Sequence, residues 1–324
     1  LIAPVKIAGI AKSVPKRKVT NFELEKIVDT SDDWITKRTG IKTRYLVSDE
    51  TTISLGSDAA LRALTMAGVK KDDIRLIIAS TFTGECLTPS VSSQIQKRLD
   101  IDDCACMDLS AGCTGFVFGL VTAASLMDSL NIDYALVVAS EVISSYIDWE
   151  DRSTCVLFGD GAGAAVLKRS GRANMRYPVM SGTPDREEVI LLEKELKPTP
   201  FGFEPSKGTK YLKMKGSEVF TYAVGVVEDT LRKLLDMCGD RPFNKVIMHQ
   251  ANAKIIDFVI RKMDIGKEQF FLDIDEYANT SSATIPIAIC DAYEKGWLVK
   301  GDRVALVGFG SGLTYGGVVI DWAI

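Results

Sequence analysis

Cys113, His249 and Asn279 are, by type and by place, the residues of this chain best suited to chemistry. Cys113 lies in Asp-Leu-Ser-Ala-Gly-Cys-Thr-Gly-Phe (108–116), where an apolar strand-like run meets an apolar helix-like run. That junction puts its sulfur at a helix N-terminus, where unpaired N–H groups and the helix dipole favour thiolate over thiol. A thiolate in a glycine-flanked turn is a nucleophile. His249, the single histidine, follows the strand-like run Lys245–Met248. Its ring can donate a hydrogen bond or exchange a proton near neutral pH. Asn279, in Tyr-Ala-Asn-Thr-Ser-Ser (277–282), supplies an NH₂ donor that cannot ionise. Two neutral donors converging on one oxygen would stabilise an enolate-like charge. The N–H groups of Cys113 and of the turn Gly310-Ser311-Gly312 would form a second hole, for a thioester oxygen.

Each residue also has an ordinary structural reading. Cysteine is a common small core residue, and the other six (Cys86, Cys104, Cys106, Cys155, Cys238 and Cys290) are read as core fillers. A strand-end histidine can simply be satisfied, and Asn279 can be a turn residue. What favours chemistry is that all three occupy matching places in a repeated order of elements.

That order is as follows. Ile74–Ser80, Cys104–Leu109, Tyr134–Ser140 and Ala162–Leu167 read as strands, with helix-like runs at Pro89–Leu99 and from Cys113 to Leu130. The alternation predicts a mostly parallel sheet covered by helices. The second half begins with an amphipathic helix capped by Ser217, with Phe220, Ala223, Val224, Val227, Leu231 and Leu234 on one face. A strand at Lys245–Met248, a helix at Ile255–Met263, a strand at Phe270–Ile274, a helix ending at Tyr293 and a strand at Val304–Val307 complete it. Phe-Gly-Asp-Gly-Ala-Gly-Ala-Ala-Val-Leu (158–167) is echoed by Phe-Gly-Ser-Gly-Leu-Thr-Tyr-Gly-Gly-Val-Val (309–319). The chain therefore reads as two copies of one α/β unit, 1–170 and 171–324, joined by irregular loops around 169–212. In such a doubled unit, equivalent strand ends share one crevice.

Composition narrows the class. The 324 residues are 46% hydrophobic and 25% charged, ordinary for a globular protein with a large core. A net charge of −4 argues against a general nucleic-acid binder. An odd count of seven irregularly spaced cysteines fits free thiols in a reducing compartment. Cys104-Ala-Cys106 looks like half a metal site without a second half, so no metal is expected. Leu1–Ile10 reads as a first strand and not as a leader, and Gly115–Met127 is too short to span a bilayer. The expectation is a cytoplasmic protein.

The stretches at 108–116, 158–164 and 277–286, with His-Gln-Ala-Asn (249–252) and Trp-Ile-Thr-Lys-Arg-Thr-Gly-Ile-Lys-Thr-Arg (34–44), closely resemble the β-ketoacyl-acyl-carrier-protein synthase III family. The resemblance runs from Val5 to the C-terminus. It implies the thiolase fold, a layered α-β-α-β-α sandwich, and a homodimeric acyltransferase priming type II fatty-acid synthesis. By this resemblance Cys113 takes an acyl group from acyl-CoA. His249 and Asn279 hold a malonyl thioester carbonyl during decarboxylation, and the N–H groups of Cys113 and Ser311 form the acyl oxyanion hole. Trp34, Arg38, Arg152 and Asn252 match contacts to CoA and its pantetheine arm, and no tightly bound cofactor is implied. Leu87, Thr88 and Phe309 match the acyl pocket, the segment 86–90 reaching into the neighbouring subunit. Lys213, Lys215, Lys254, Arg261 and Lys262 would greet an acidic acyl carrier protein.

There are departures from the family's pattern. Thr88 stands where many members have phenylalanine, which predicts a primer bulkier than acetyl. Lys254 replaces a frequent arginine, weakening any bidentate phosphate contact. Residues 180–210 fit the family poorly and keep open a secondary-metabolite condensing enzyme using other CoA thioesters. Chalcone-synthase-like enzymes fit the local motifs less well. A biosynthetic thiolase would need a second active-site cysteine, and a papain-like protease a Cys-Gly-Ser-Cys-Trp context. A non-catalytic carrier-binding scaffold would not explain an intact Cys113, His249 and Asn279.

Overall fold

The central strands of this protein are near-continuous apolar runs, the pattern of strands covered on both faces. The computed structural model describes residues 4–205, 208–263 and 265–324; the first three residues of the strand expected from Leu1 lie outside them. One sheet has the order β1-β7-β6-β4-β5: β1 (Val5–Ser13), β7 (Gly161–Arg169), β6 (Tyr134–Glu141), β4 (Leu76–Ser80) and β5 (Ala105–Leu109). The other has the order β8-β13-β12-β11: β8 (Met175–Gly182), β13 (Thr314–Asp321), β12 (Arg303–Gly310) and β11 (Lys245–Met248). Beyond β11 a single parallel bridge joins Val246 to Phe270. The two sheets repeat one another strand for strand, with Phe270 in the place of β5. Both Phe-Gly-x-Gly turns lead into the second strand of their sheet, β7 and β13.

Two sequence expectations need correction here. The sheets are mixed, not mostly parallel: β4 runs parallel to β5 and β6, and β11 to β12, while the remaining pairs are antiparallel. An apolar run reports that both faces are covered and says nothing of direction. The strand expected at Phe270–Ile274 shrinks to its first residue, and Ile274 already opens the short helix α9 (Ile274–Tyr277).

Helices fill three layers. α5 (Gly115–Ser129) packs on β4 and β6 from one side and on β12 and β13 from the other, and α10 (Thr284–Glu294) lies against β1, β7 and β11. They form the central layer, and one core runs through it: Phe116, Val117 and Leu120 meet Ile285, Ile289, Leu306 and Val318. α3 (Thr52–Ala67) and α4 (Val91–Leu99) cover the first sheet outside, and α7 (Gly216–Cys238) and α8 (Ala253–Met263) the second. With its leading turn, α5 makes an 18-residue stretch, Gly112–Ser129, long and apolar enough to cross a membrane. It is apolar all round because sheets lie on both sides of it. α7 buries the predicted stripe from Ala223 to Leu234 and half-buries Phe220, but Lys215 and not Ser217 stands at its N-cap, with no side-chain cap. All seven cysteines are free, yet only Cys155, Cys238 and Cys290 are buried; Cys86 is exposed, and Cys104 and Cys106 lie half-buried at edge strand β5. The core-filler reading fails for those three because an edge strand and a surface loop leave one side open.

A smaller region closes one end of the sandwich. β2 (Arg17–Thr20) pairs with β3 (Thr43–Leu46), and α1 (Asn21–Leu24), α2 (Asp32–Thr39), α6 (Arg152–Cys155) and α9 share one apolar cluster with Phe158 and Leu212. α2 is a well-signposted helix: Ser31 caps it by accepting from Trp34 N, acids fill its first turn, Lys37 and Arg38 its last, and Gly40 ends it at φ +82°. Beneath it lies Arg44, fully buried, donating to Asn21 Oδ1 at 2.8 Å and to the Val156 carbonyl at 2.9 Å. Asn21 also donates to Asp32 Oδ1 at 2.9 Å and to the Ile41 carbonyl at 2.8 Å. Removing that carboxamide strands a buried charge. Asn21→Ala is expected to cost about 3 kcal/mol of stability in urea unfolding; a loss under about 1 kcal/mol would mean the Arg44 pairing is dispensable.

Candidate active site

Cys113 sits in a tight 3-10 turn, Gly112–Thr114, between β5 and α5. Gly112 has φ +51°, and a Cβ there would overlap Ser311 Oγ. The turn after β12 approaches from the other sheet: a Cβ on Gly310 would lie 2.7 Å from that of Cys113 and 3.0 Å from its sulfur. Glycine at these two places lets the two turns touch. The backbone N–H groups of Cys113 and Ser311 both bear on the sulfur, and Ser281 Oγ stands 3.4 Å from it.

His249 follows β11 directly and is held by its N–H to the Val307 carbonyl at 2.8 Å. Its Nδ1 lies 2.7 Å from Thr284 Oγ1, and its ring meets Phe309 edge-on, centroids 5.0 Å apart. Asn279 is gripped by the other half of the chain: its N–H donates to the Leu157 carbonyl at 3.0 Å and its carbonyl accepts from Gly159 N–H at 3.1 Å. Its neighbours Ala278 and Ser281 take φ +57° and +52°, left-handed conformations costing about 1–3 kcal/mol each in residues with a Cβ. The Ser281 N–H donates to Asn279 Oδ1 at 2.8 Å, which fixes the carboxamide's orientation and leaves its NH₂ as the free donor.

The site is electrically quiet. Burial pushes the Cys113 thiol up to about 11, outweighing the Ser281 hydroxyl and the two N–H groups, and nearby Glu141 adds to the rise. Burial thus opposes the pull toward thiolate expected from the helix end. Burial alone brings His249 down to about 3, so its imidazole is neutral. Glu141, fully buried, accepts from Thr83 Oγ1 at 2.8 Å, Thr81 Oγ1 at 3.1 Å, Phe82 N at 3.3 Å and Ser282 Oγ at 2.9 Å. Burial nonetheless raises its carboxyl to about 7. Through Ser282 it ties the Asn279 loop to β6.

Cys113, His249, Asn279, Asn252, Phe309 and Ser311 all line one cavity of about 350 Å³. Asn252 also serves α8, accepting from Lys254 N–H at 2.9 Å. Trp34, Arg38 and Arg152 do not line it. They stand together at the apolar cluster beside it, the Arg38 and Arg152 guanidinium carbons 4.6 and 5.1 Å from the Trp34 ring centre. Leu87 and Thr88 are not at the cavity of their own chain, and Leu87 is 78% exposed. Lys213, Lys215, Lys254, Arg261 and Lys262 are all exposed. The last three fall at i, i+7 and i+8 of α8, one face of the helix. The sequence reading missed the cavity's wall. β9 (Ile190–Leu191) pairs with β10 (Lys213–Met214), and Ile190, Leu191, Leu192, Leu212 and Met214 face the cavity. These lie in the stretch read as irregular loops, where two-residue strands carry no periodicity to detect. Ser281, Thr284 and Glu141 were missed too; only adjacency to the Asn279 motif could have pointed to the first two. Among the described residues no cluster of three or more His, Cys, Asp or Glu is placed to hold a metal.

This architecture and this site define a class, the thiolase-fold condensing enzymes, which join acyl thioesters through a new carbon–carbon bond. Family models described as 3-oxoacyl-[acyl-carrier-protein (ACP)] synthase III and its C-terminal part match residues 107–181 and 242–322. β-Ketoacyl-[acyl-carrier-protein] synthase III of Clostridium acetobutylicum is 39% identical over 320 residues, 98% of each chain. The crystal structure of 3-oxoacyl-[acyl-carrier-protein] synthase III from Aquifex aeolicus matches with a TM-score of 0.89 at 39% identity, over 98% of this chain and 100% of its own. The priming β-ketosynthase of the R1128 polyketide biosynthetic pathway gives 0.92 at 32% identity, over 99% and 97%. The chain belongs to the β-ketoacyl-[acyl-carrier-protein] synthase III family.

A thiol raised to about 11 gives a pH signature. Alkylation of Cys113 by iodoacetamide, followed by mass spectrometry, should rise about tenfold per pH unit from 7 to 10, because only the thiolate reacts. A plateau near pH 7 would show that the helix end and its donors outweigh burial after all.

Proposed function

We propose that the chain primes chain building by a decarboxylating Claisen condensation of an acyl-CoA with malonyl-acyl-carrier protein. Sulfur of Cys113 attacks the thioester carbon of acyl-CoA, and the N–H groups of Cys113 and Ser311 receive the negative oxygen. The bond to the CoA sulfur breaks, and CoA leaves as the thiol, carrying away the proton that Cys113 gave up. A malonyl thioester then enters with its carbonyl oxygen between His249 Nε2 and the Asn279 NH₂. Its carbon–carboxylate bond breaks, CO₂ departs, and the electron pair is held as an enolate by those two donors. The enolate carbon attacks the acyl carbon on Cys113, forming the new C–C bond and expelling the sulfur as thiolate, which takes a proton from water to restore the thiol. The observation that carries this reading is one pair of backbone donors at the Cys113 sulfur with a second pair of neutral side chains, His249 and Asn279, lining the same cavity.

The rest of the assignment follows the same lines. Trp34 with its two guanidiniums, and Asn252, are suited to the nucleotide and pantetheine ends of CoA. The exposed lysines and arginine of α8 and β10 suit an acidic carrier protein. A division at 170/171 is supported by the sheets, whose strands come from residues 5–169 and 175–321. A homodimer is supported by β5, paired on one side only, with Met107 exposed and Leu87 exposed on the loop before α4. In such a dimer Thr88 would border the partner's acyl pocket. A second reading, priming of a secondary-metabolite pathway, is favoured by the likeness to the polyketide priming enzyme.

Cys113→Ala should abolish condensation, a loss on the order of 10⁴ or more, while leaving malonyl-thioester decarboxylation measurable. His249→Ala should still form acyl-Cys113 by intact mass but slow decarboxylation about 10²- to 10³-fold. Decarboxylation at the native rate in His249→Ala would remove its donor role. An acyl-CoA panel from acetyl to lauroyl, with malonyl-carrier as acceptor, is expected to favour primers bulkier than acetyl; a strong acetyl preference would refute the extra room assigned to Thr88.

A further inference from the structure

Burial keeps His249 neutral, so what varies is which ring nitrogen carries the proton. The donor role proposed above needs the hydrogen on Nε2, facing the cavity. Among the described residues the hydrogen-bond partner of the ring is Thr284 at Nδ1, 2.7 Å away. Thr284 stands at the start of α10 and its hydroxyl oxygen has two other neighbours: the N–H of Gln250 at 3.3 Å and the carbonyl of Ser281 at 3.1 Å. The Gln250 N–H can only donate. The hydroxyl has one proton to give, and two acceptors compete for it. If it goes to Nδ1, Nε2 carries hydrogen and is a donor to the cavity. If it goes to the Ser281 carbonyl, Nδ1–H must donate to Oγ1, and Nε2 is left bare, an acceptor that repels an enolate oxygen. The contact to the ring is the shorter, and the Ser281 carbonyl already accepts the backbone N–H of Thr284, so the hydroxyl proton is free to go to Nδ1, as the donor role of Nε2 requires. The Phe309 ring packs edge-on against the imidazole beside this contact.

We propose that Thr284 is a positioning residue that holds His249 as its Nε2–H tautomer by donating its hydroxyl proton to Nδ1. The claim rests on the donor role proposed for His249, but it can be tested without turnover. Because the chain has one histidine, ¹⁵N-histidine labelling of the untagged protein gives the signals of a single imidazole. The wild-type protein is expected to show a protonated Nε2 and an unprotonated Nδ1 at pH 7. Thr284→Val, nearly the same shape without the hydroxyl, should shift that spectrum toward the other tautomer or a mixture, and Thr284→Ser should keep it. In parallel, Thr284→Val should slow malonyl-thioester decarboxylation about tenfold to a hundredfold, the size of effect when a group that orients a histidine is lost. Acyl transfer to Cys113, which also reports correct folding, should stay within about threefold, and Thr284→Ser should recover most of the decarboxylation.

A wild-type spectrum with the proton on Nδ1 overturns the proposal whatever the variants do. So does a Thr284→Val protein whose tautomer is unchanged, even if it is slow, since its defect would then be one of packing. If the spectra behave as expected but the wild-type protein decarboxylates no malonyl thioester, Thr284 keeps its role and the proposed reaction is what fails.

Discussion

Two turns from different sheets meet at Cys113 with no space between them for a side chain on Gly310. That close approach is the constraint on which the site depends. It brings the Ser311 N–H to the same sulfur as the N–H of Cys113, so one of the two donors comes from the strand–helix turn before α5 and the other from the hairpin between β12 and β13. Neither turn can move alone. α5 is wedged between both sheets, and β12 is buried along its whole length. Asn279 is tied in the same way, because its backbone pairs with Leu157 and Gly159, next to the entry of β7. The left-handed Ala278 and Ser281 are tolerable because these neighbours over-determine the loop.

Burial is the second theme, and it works against the simplest account of the nucleophile. A helix end and two N–H groups favour thiolate, but taking the sulfur out of water costs more, and the thiol ends up at about 11. The same burial strips His249 of any charge near neutral pH, down to about 3. A neutral thiol beside a neutral imidazole needs no counter-ion. On the proposed mechanism, the site acts by hydrogen bonds aimed at charges that arise only during reaction. Glu141, whose charge bears on the sulfur, accepts from four donors and serves as an anchor for Ser282.

Much of this was legible in the residues. Buried strands announce themselves as apolar runs, so their order was readable; their direction was not, since covering both faces erases the alternation that separates the cases. Cys113, His249 and Asn279 could be picked out because each follows an apolar run in a doubled order, and they do meet at one cavity. The pull of burial against the Cys113 thiolate was not legible, because the helix end is visible in sequence and the surroundings of the sulfur are not. The wall built by Ile190–Leu192, Leu212 and Met214 was invisible, since β9 and β10 are two residues long and held by pairing across more than twenty residues of chain. Thr284, Ser281 and Glu141 are ordinary polar residues until the fold sets them beside the ring, the sulfur and the loop.

The doubling of the α/β unit has a chemical consequence. On the proposed mechanism, the acyl carbonyl on Cys113 must stay polarised while a second thioester carbonyl is polarised a bond-forming distance away. One hole cannot serve both, so two are needed around one sulfur, with donors that do not compete. Backbone N–H groups make the first, and their geometry is set by turns; this is why a serine at 311 is compatible with it, its hydroxyl packing against Gly112 and not entering the hole. Side chains make the second, and a side-chain donor needs a partner to fix its hydrogen. The Ser281 N–H does this for Asn279, and the Thr284 hydroxyl is placed to do it for His249. Both come from the single stretch Asn279–Thr284, anchored beneath by Glu141 through Ser282. A sheet–turn–helix unit used twice thus gives two different holes, because the first copy ends in a turn closed by glycine and the second in a loop rich in hydroxyls.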